Sequence, residues 1–326
     1  MKLNQWILAA ASITQAGVMA AQTVNWFPSG PPPARCCMGM AYDGATESTV
    51  LFGGQVNGTT YFADTWIWRG GGWFKLFPAT PPSARYGAEM AYDGAGGNVV
   101  LFGGYSSTGT YLNDTWTWDG TNWAQQFPPV SPPARTANPN ATNMAYNAAT
   151  QTVVLFGGSN GAALGDTWTW NGVTKTWTQQ NPVASPSARS APMAYDAATQ
   201  TVVLFGGNGT NPADEFADTW SWNGSTWTQR FPATAPSARA AASMTYDASL
   251  RAVVLFGGYS GNWGNSLNDT WTWSGTTWRQ IHPATTPHNR YAFGMDYDPT
   301  YKVVVMFGGF SSGPALGDTW LLALAP

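Results

Sequence analysis

The apolar positions of the chain fall into short runs, and the runs come in six near copies. Val50-Leu51-Phe52, then residues 99–102, 153–156, 202–205, 253–256 and 304–307, are all apolar and mostly β-branched or aromatic, and each run closes on two glycines. An apolar run of this length, rich in Val and Phe, predicts a buried strand. The paired glycines predict a turn where a Cβ would clash. The copies recur about every 50 residues, a period that signals a propeller, a solenoid or an array.

Polar and aromatic positions repeat in step with these runs. A variable loop follows each Gly-Gly and ends in Asp-Thr-Trp, beginning at Asp64, Asp114, Asp166, Asp218, Asp269 and Asp318. A second Trp stands two residues on in five copies, and a third follows a short polar turn. A proline-rich linker then ends in Arg, and Met-Ala-Tyr-Asp or a near variant leads into the next apolar run. Each period therefore predicts four strands: a (Met-x-Tyr), b (the apolar run), c (Asp-Thr-Trp) and d (the last Trp).

This pattern resembles the kelch repeat, through the double glycine after an apolar strand and the two tryptophans that follow. The resemblance covers nearly the whole chain after about residue 23 and implies an all-β, six-bladed β-propeller with four antiparallel strands per blade. Residues 23–28 match a d strand, whereas the chain ends on a c strand. The N-terminal strand is thus expected to complete the last blade and close the ring. The fold hosts enzymes and binding modules alike, so it does not give a function.

Composition narrows the classes. The formal net charge is −3 and only 10% of residues are charged, which gives no basic surface for nucleic acid. Residues 1–21 read as a secretory signal: Lys2 is followed by an apolar stretch at 6–11 and small residues at 18–21. Residues 22–326 then form one propeller, expected to be secreted, periplasmic or at the cell surface. No later run is long enough to span a bilayer. Cys36 and Cys37 are adjacent and could pair only as a vicinal disulfide or stay as buried thiols. Asn57, Asn208 and Asn223 head sequons that the repeat composition would generate by itself.

Residues shared by all blades are read as scaffold. Seventeen of the 19 tryptophans occupy repeat positions and are read as packing between blades. The aspartates of Asp-Thr-Trp are expected to bond backbone amides, and those after each strand-a Tyr to form turns. Strand direction alternates, so the d–a linkers and b–c loops share one face. That face receives Arg35, Arg85, Arg135, Arg189, Arg239 and Arg290. These either pair with the six Asp-Thr-Trp aspartates, reaching toward a neighbouring blade, or form an anion-binding mouth.

Residues that break the pattern gather on the same face. Trp263, Tyr259 and Tyr105 are candidate ligand contacts alongside the arginines, and Tyr61, Phe62, Tyr111 and Phe216 lie in the same loops. Glu89, Asp214, Glu215 and His288 are weak candidates for acid–base chemistry. The two histidines and two cysteines make no metal-ligand cluster, so neither metal nor cofactor is expected. The leading expectation is an exported binding module for a glycan or an acidic protein segment, with self-association allowed. An enzyme like the kelch-type sialic acid mutarotases, acting on a sugar acid at the channel mouth, is the alternative. A structural surface or assembly component is the third.

Overall fold

The computed structural model describes residues 24–29, 32–137, 143–211, 214–261 and 265–324. The expected signal at 1–21 and Trp263 lie outside these residues, as does most of the third linker, where Arg135 and Met144 are four residues further apart than their counterparts in most blades. Six four-stranded antiparallel sheets account for the architecture, and no described residue is helical. In blade 1 the strands are a (Gly39–Asp43), b (Ser48–Phe52), c (Thr65–Arg69) and d (Gly72–Leu76). The next five blades open on strand a at Glu89, Met144, Met193, Ser243 and Gly294. Each strand a touches the strand a of the next blade, and that of blade 6 touches blade 1. The six sheets therefore form a closed ring around a central channel.

Closure comes from the N-terminus, as the strand order required. Val24–Ser29 pairs with Thr319–Leu324 and supplies strand d of blade 6. The register is the same as elsewhere: Trp26 stands opposite Leu322 as Trp123 stands opposite Trp118. Pro28 falls in this outermost strand, where one edge has no neighbour to require an N–H.

Strand b is sandwiched on both faces by neighbouring blades, so its side chains are apolar without alternation. Val50, Leu51 and Phe52 are all buried, and so are their counterparts in the other five blades. The strand-d tryptophan locks adjacent blades. Trp123 meets Trp118 of its own blade at 5.3 Å between ring centroids and Phe52 of the preceding blade edge-on at 5.3 Å. Its indole Nε1 donates to the buried Thr65 Oγ1 of that preceding blade at 2.9 Å. Trp73, Trp177, Trp227 and Trp278 repeat this bond to Thr319, Thr115, Thr167 and Thr219. Each contact combines an aromatic pair, about 0.5–1.5 kcal/mol, with a buried hydrogen bond, about 1 kcal/mol.

The a–b turns carry the expected aspartates: Asp43 Oδ1 accepts from the Ala45 amide, and Asn147 does the same for Ala149 in blade 3. The glycine pair meets a close backbone. Gly53 and Gly54 have φ of 70° and 96°. A Cβ on Gly53 would sit 2.7 Å from the Arg85 carbonyl oxygen, and one on Gly54 would sit 2.6 Å from that of Cys36.

Two outcomes check this account by thermal melting. Deleting residues 22–30 removes the closing strand and should destabilise the whole ring, not one blade. Trp123→Phe leaves the Thr65 hydroxyl without its donor and should cost about 1–2 kcal/mol.

Candidate functional site

The linker arginines are the most regular feature of the loop-bearing face, and each is paired with an aspartate. Arg35 Nη1 and Nη2 hold the two oxygens of Asp64 at 2.5 and 3.0 Å. Nη1 also donates to the Gly53 carbonyl and Nε to the Pro33 carbonyl. Arg85, Arg135, Arg239 and Arg290 repeat the two-pronged pairing with Asp114, Asp166, Asp269 and Asp318, and Arg189 pairs with Asp218. All six arginines are buried. The alternative of an open anion-binding ring is therefore not what the structure shows. The guanidinium groups spend their donors inside the blade, because burial of an unpaired cation would cost several kcal/mol.

Two details differ from expectation. The pairing runs within each blade, not across to a neighbour. The Asp-Thr-Trp aspartates serve indole as well as guanidinium: Trp66 Nε1 donates to Asp64 Oδ2 at 2.8 Å, and the other five blades repeat the bond. Burial alone would raise the Asp64 carboxyl, but the Arg35 hydrogen bonds and charge outweigh it and hold it below the usual carboxylate range. The same balance lowers Asp166, Asp269 and Asp318. Phe62 and Phe216, which break the sequence pattern, lie flat on Arg35 and Arg189 at 3.8 and 3.6 Å from the ring centroid.

The residues after each arginine rim the channel. Ala292 N donates to Ala241 O, Cys37 N to Ala292 O, Gly87 N to Cys37 O and Ala137 N to Gly87 O, at 2.8–3.0 Å. This chain of amides links blades 5, 6, 1, 2 and 3. Cys37, Gly87, Ala241 and Ala292 share a left-handed backbone, with φ of 51–70°, which points their groups around the ring. On the other side the Asn143 side chain takes over: its Oδ1 accepts from the Ala191 amide and its Nδ2 donates to Ser190 Oγ. Glu89 completes the link by accepting from the Asn143 amide at 2.8 Å. Below the rim is a cavity of about 20 Å³, bordered by Glu89, Met38, Met40, Met90, Met295 and Phe293.

Cys36 and Cys37 form a vicinal disulfide in this rim, buried against Ala240, Ala241, Tyr259 and Ala292. Aromatic side chains flank it on both sides. Tyr61, Tyr86, Tyr105 and Tyr111 form a continuous cluster over blades 1 and 2, with successive ring centroids 5.5, 5.5 and 4.9 Å apart. Tyr259, Tyr291 and Phe310 form a second over blades 5 and 6. At the positions of Tyr86 and Tyr105 blades 3 and 4 carry Thr136 and Ser159, and Ser190 and Asn208; at those of Tyr61 and Tyr111 they carry Ala163 and Glu215.

A family model, the KLHDC2/KLHL20/DRC7 Kelch-repeats domain, matches residues 18–207, more than half of the chain. The chain belongs to the kelch-repeat family. No curated protein sequence matches it. Kelch propellers are generally protein-interaction modules, and they bind protein partners through a rigid ring of blades. No helix among the described residues is long and apolar enough to cross a membrane.

On this kelch propeller the four acid–base candidates are dispersed. Glu89 is buried in the rim, where desolvation raises its carboxyl well above the usual range against the pull of the Asn143 amide and the Arg135 charge. Glu215 accepts from the Gly261 amide at 3.0 Å, whereas Asp214 accepts from Asn211 Nδ2 and is exposed. His288 is exposed, and its backbone carbonyl accepts from Arg290 Nε. Each sits on a different neighbour, and the arginines that a sugar acid would need are already paired. Of the ligand candidates, Tyr259 is wholly buried in the rim, while Tyr105 is half-buried within the tyrosine cluster. Sequence reasoning missed Asn143, whose position at the start of strand a in the one blade with a longer linker was the available signal.

Two measurements follow from the charges. Asp166→Asn should cost about 3 kcal/mol, the low end for breaking a buried pair, because the Asp166 side chain is 19% exposed. The stability given by the four lowered aspartates is full above about pH 4 and is lost as pH falls through their own lower pKa values. Glu89 has the opposite sign: its folded pKa is raised, so it favours folding in acid and opposes it as pH rises. Glu89→Gln should therefore raise the melting temperature at neutral pH and lose that advantage in acid.

Proposed function

We propose that this kelch propeller is an exported interaction module whose protein partner docks on the face bearing the d–a linkers and b–c loops. One observation carries the reading. Tyr86 and Tyr105, the centre of the tyrosine cluster, occupy positions that blades 3 and 4 fill with Thr136, Ser159, Ser190 and Asn208, so the blade does not require aromatics there. Aromatic side chains dominate the energetics of protein interfaces because they supply much contact area for little lost freedom. Loops held on a rigid scaffold are the usual place for such contacts. The vicinal disulfide supports export, since disulfides persist in oxidising compartments.

The arginine pairing argues against an acidic ligand. Nothing on this face offers a free guanidinium among the six linker arginines, so a carboxylate-rich segment would find no counter-charge there.

Affinity capture from extracellular fluid with immobilised protein tests the face. Wild type and a variant of the opposite turns, Asp119→Ala with Lys175→Ala, should retain the same partner. Tyr86→Ala with Tyr105→Ala should lose it while still melting cooperatively. Equal capture by both variants would place the interface elsewhere.

A further inference from the structure

Resting on the reading of the loop face as a docking surface, we infer that the protein partner inserts a lysine side chain into the channel mouth, where its ammonium meets Glu89. Three observations lead there: a buried carboxylate oxygen with no bond, a cavity lined by the same residue, and the lack of a cation within the chain to answer it.

The carboxylate comes first. Glu89 stands opposite Phe102, the last residue of its strand b. At the equivalent point blades 1, 3, 5 and 6 carry Gly39, Asn143, Ser243 and Gly294. The blade therefore does not need an acid there. Oε2 of Glu89 accepts from the Asn143 amide, whereas Oε1 is buried with no hydrogen-bond partner. Asp296, the other acid that breaks the strand-a pattern, differs: its Oδ1 accepts from Thr245 and Tyr297, and its Oδ2 from Tyr42. Leaving a buried acceptor unbonded costs free energy that a donor from outside would recover.

The cavity fits a small cation on an apolar stem. Glu89 is the one charged side chain that lines it, and Met38, Met40, Met90, Met295 and Phe293 supply most of the rest. Gly39 and Gly294 make the room: a Cβ on Gly39 would sit 2.5 Å from Met90 Sδ, and one on Gly294 would sit 2.8 Å from Met40 Sδ. The Ala88 carbonyl oxygen, 3.2 Å from the same point on Gly39, is a second acceptor at this wall. A space of about 20 Å³ takes one group the size of a water. An ammonium is of that size, and a planar guanidinium is larger. Methionines adapt their shape readily, so they can follow an alkyl stem. Lysine joins such a stem to a compact charge with three donors. A hard metal ion would ask for several oxygen ligands, and the lining side chains offer one carboxylate.

The chain itself does not supply the charge. Arg135, whose field reaches Glu89, commits Nε, Nη1 and Nη2 to Pro133, Gly157 and Asp166. Of the described lysines, Lys75 is on an outer strand d, and Lys175 and Lys302 are in turns of the opposite face. Desolvation without a counter-charge holds the Glu89 carboxyl well above the usual range, and an entering ammonium would favour its ionised form.

Isothermal titration calorimetry on the intact protein tests the inference. The probes are three acetylated and amidated peptides, Gly-Ser-Xaa-Ser-Gly, in which Xaa is lysine, norleucine or arginine. The lysine peptide should bind once per protein and at least about tenfold tighter than the other two. Glu89→Gln keeps the shape of the side chain and should fold at least as stably at neutral pH, yet it should weaken the lysine peptide about tenfold or more. Asp214→Asn removes an exposed acid from the same face and should leave binding unchanged. Equal binding of the norleucine or arginine peptide, undiminished binding to Glu89→Gln, an equal loss in Asp214→Asn, or no binding of the lysine peptide would each overturn the inference. A captured partner that Glu89→Gln keeps and the Tyr86 and Tyr105 double variant loses would overturn the lysine inference alone and leave the docking face standing. A partner that both variants keep would overturn both.

Discussion

The arginine that ends each linker ties its own blade to the one before. Its side chain clamps the Asp-Thr-Trp aspartate of its own blade, as Arg85 clamps Asp114. Its backbone belongs to the blade before: Arg85 N donates to Phe62 O, and Arg85 O accepts from Gly54 N. The same pair of contacts joins Arg35 to Leu316 and Gly309, so the ring is stitched through its closure as well. A buried ion pair is weak evidence of stability when it could be exchanged for apolar residues. Here the exchange is not open, because the guanidinium also satisfies the buried carbonyl of the first glycine, and that glycine exists so the arginine carbonyl can approach. Arginine, aspartate and the glycine pair are one device.

That device decides what the loop face can be. By taking both charges into the blade, it leaves the surface above blades 1 and 2 without an unpaired charge. Whatever recognises that surface must do so through shape and neutral hydrogen bonds, where aromatic residues are strongest. Phe62 and Phe216 show how little can be read from an aromatic in a loop by itself, since both are spent on stacking over a buried arginine. The tyrosines of blades 1 and 2 have no such charge beneath them to cover; they contact one another.

Much of the fold was legible in the sequence because its signals are local and repeat. Strand b is a continuous apolar run, the glycine pair marks its end, and the N-terminal match to strand d foretold the closure that Trp26 and Leu322 make. The site was legible less evenly. The arginine ring and the six aspartates could be placed on one face, but pairing and an open anion-binding mouth both fitted, since spacing along a chain does not give the direction of a long side chain. The indole bond of Trp66 to Asp64 was hidden because the aspartate already had a plausible role in backbone bonding. The disulfide of Cys36 and Cys37 was one of two open outcomes, and only the left-handed turn at Cys37 makes its place in the rim intelligible.

Departures from the repeat fall into two kinds, and the difference separates structure from recognition. On strand a the odd residues all bond within the ring. Glu89 takes the Asn143 amide, Asn143 takes Ala191, and Asp296 takes the Thr245 hydroxyl and the Tyr42 amide. These groups replace a regular backbone ladder where the blades are not identical, and they hold the channel mouth in a single arrangement. In the loops above blades 1 and 2 the tyrosines contact one another, and Tyr86 also packs against the buried disulfide cluster. A half-buried aromatic cluster above blades whose charges are paired is where the proposed partner would find the most contact area.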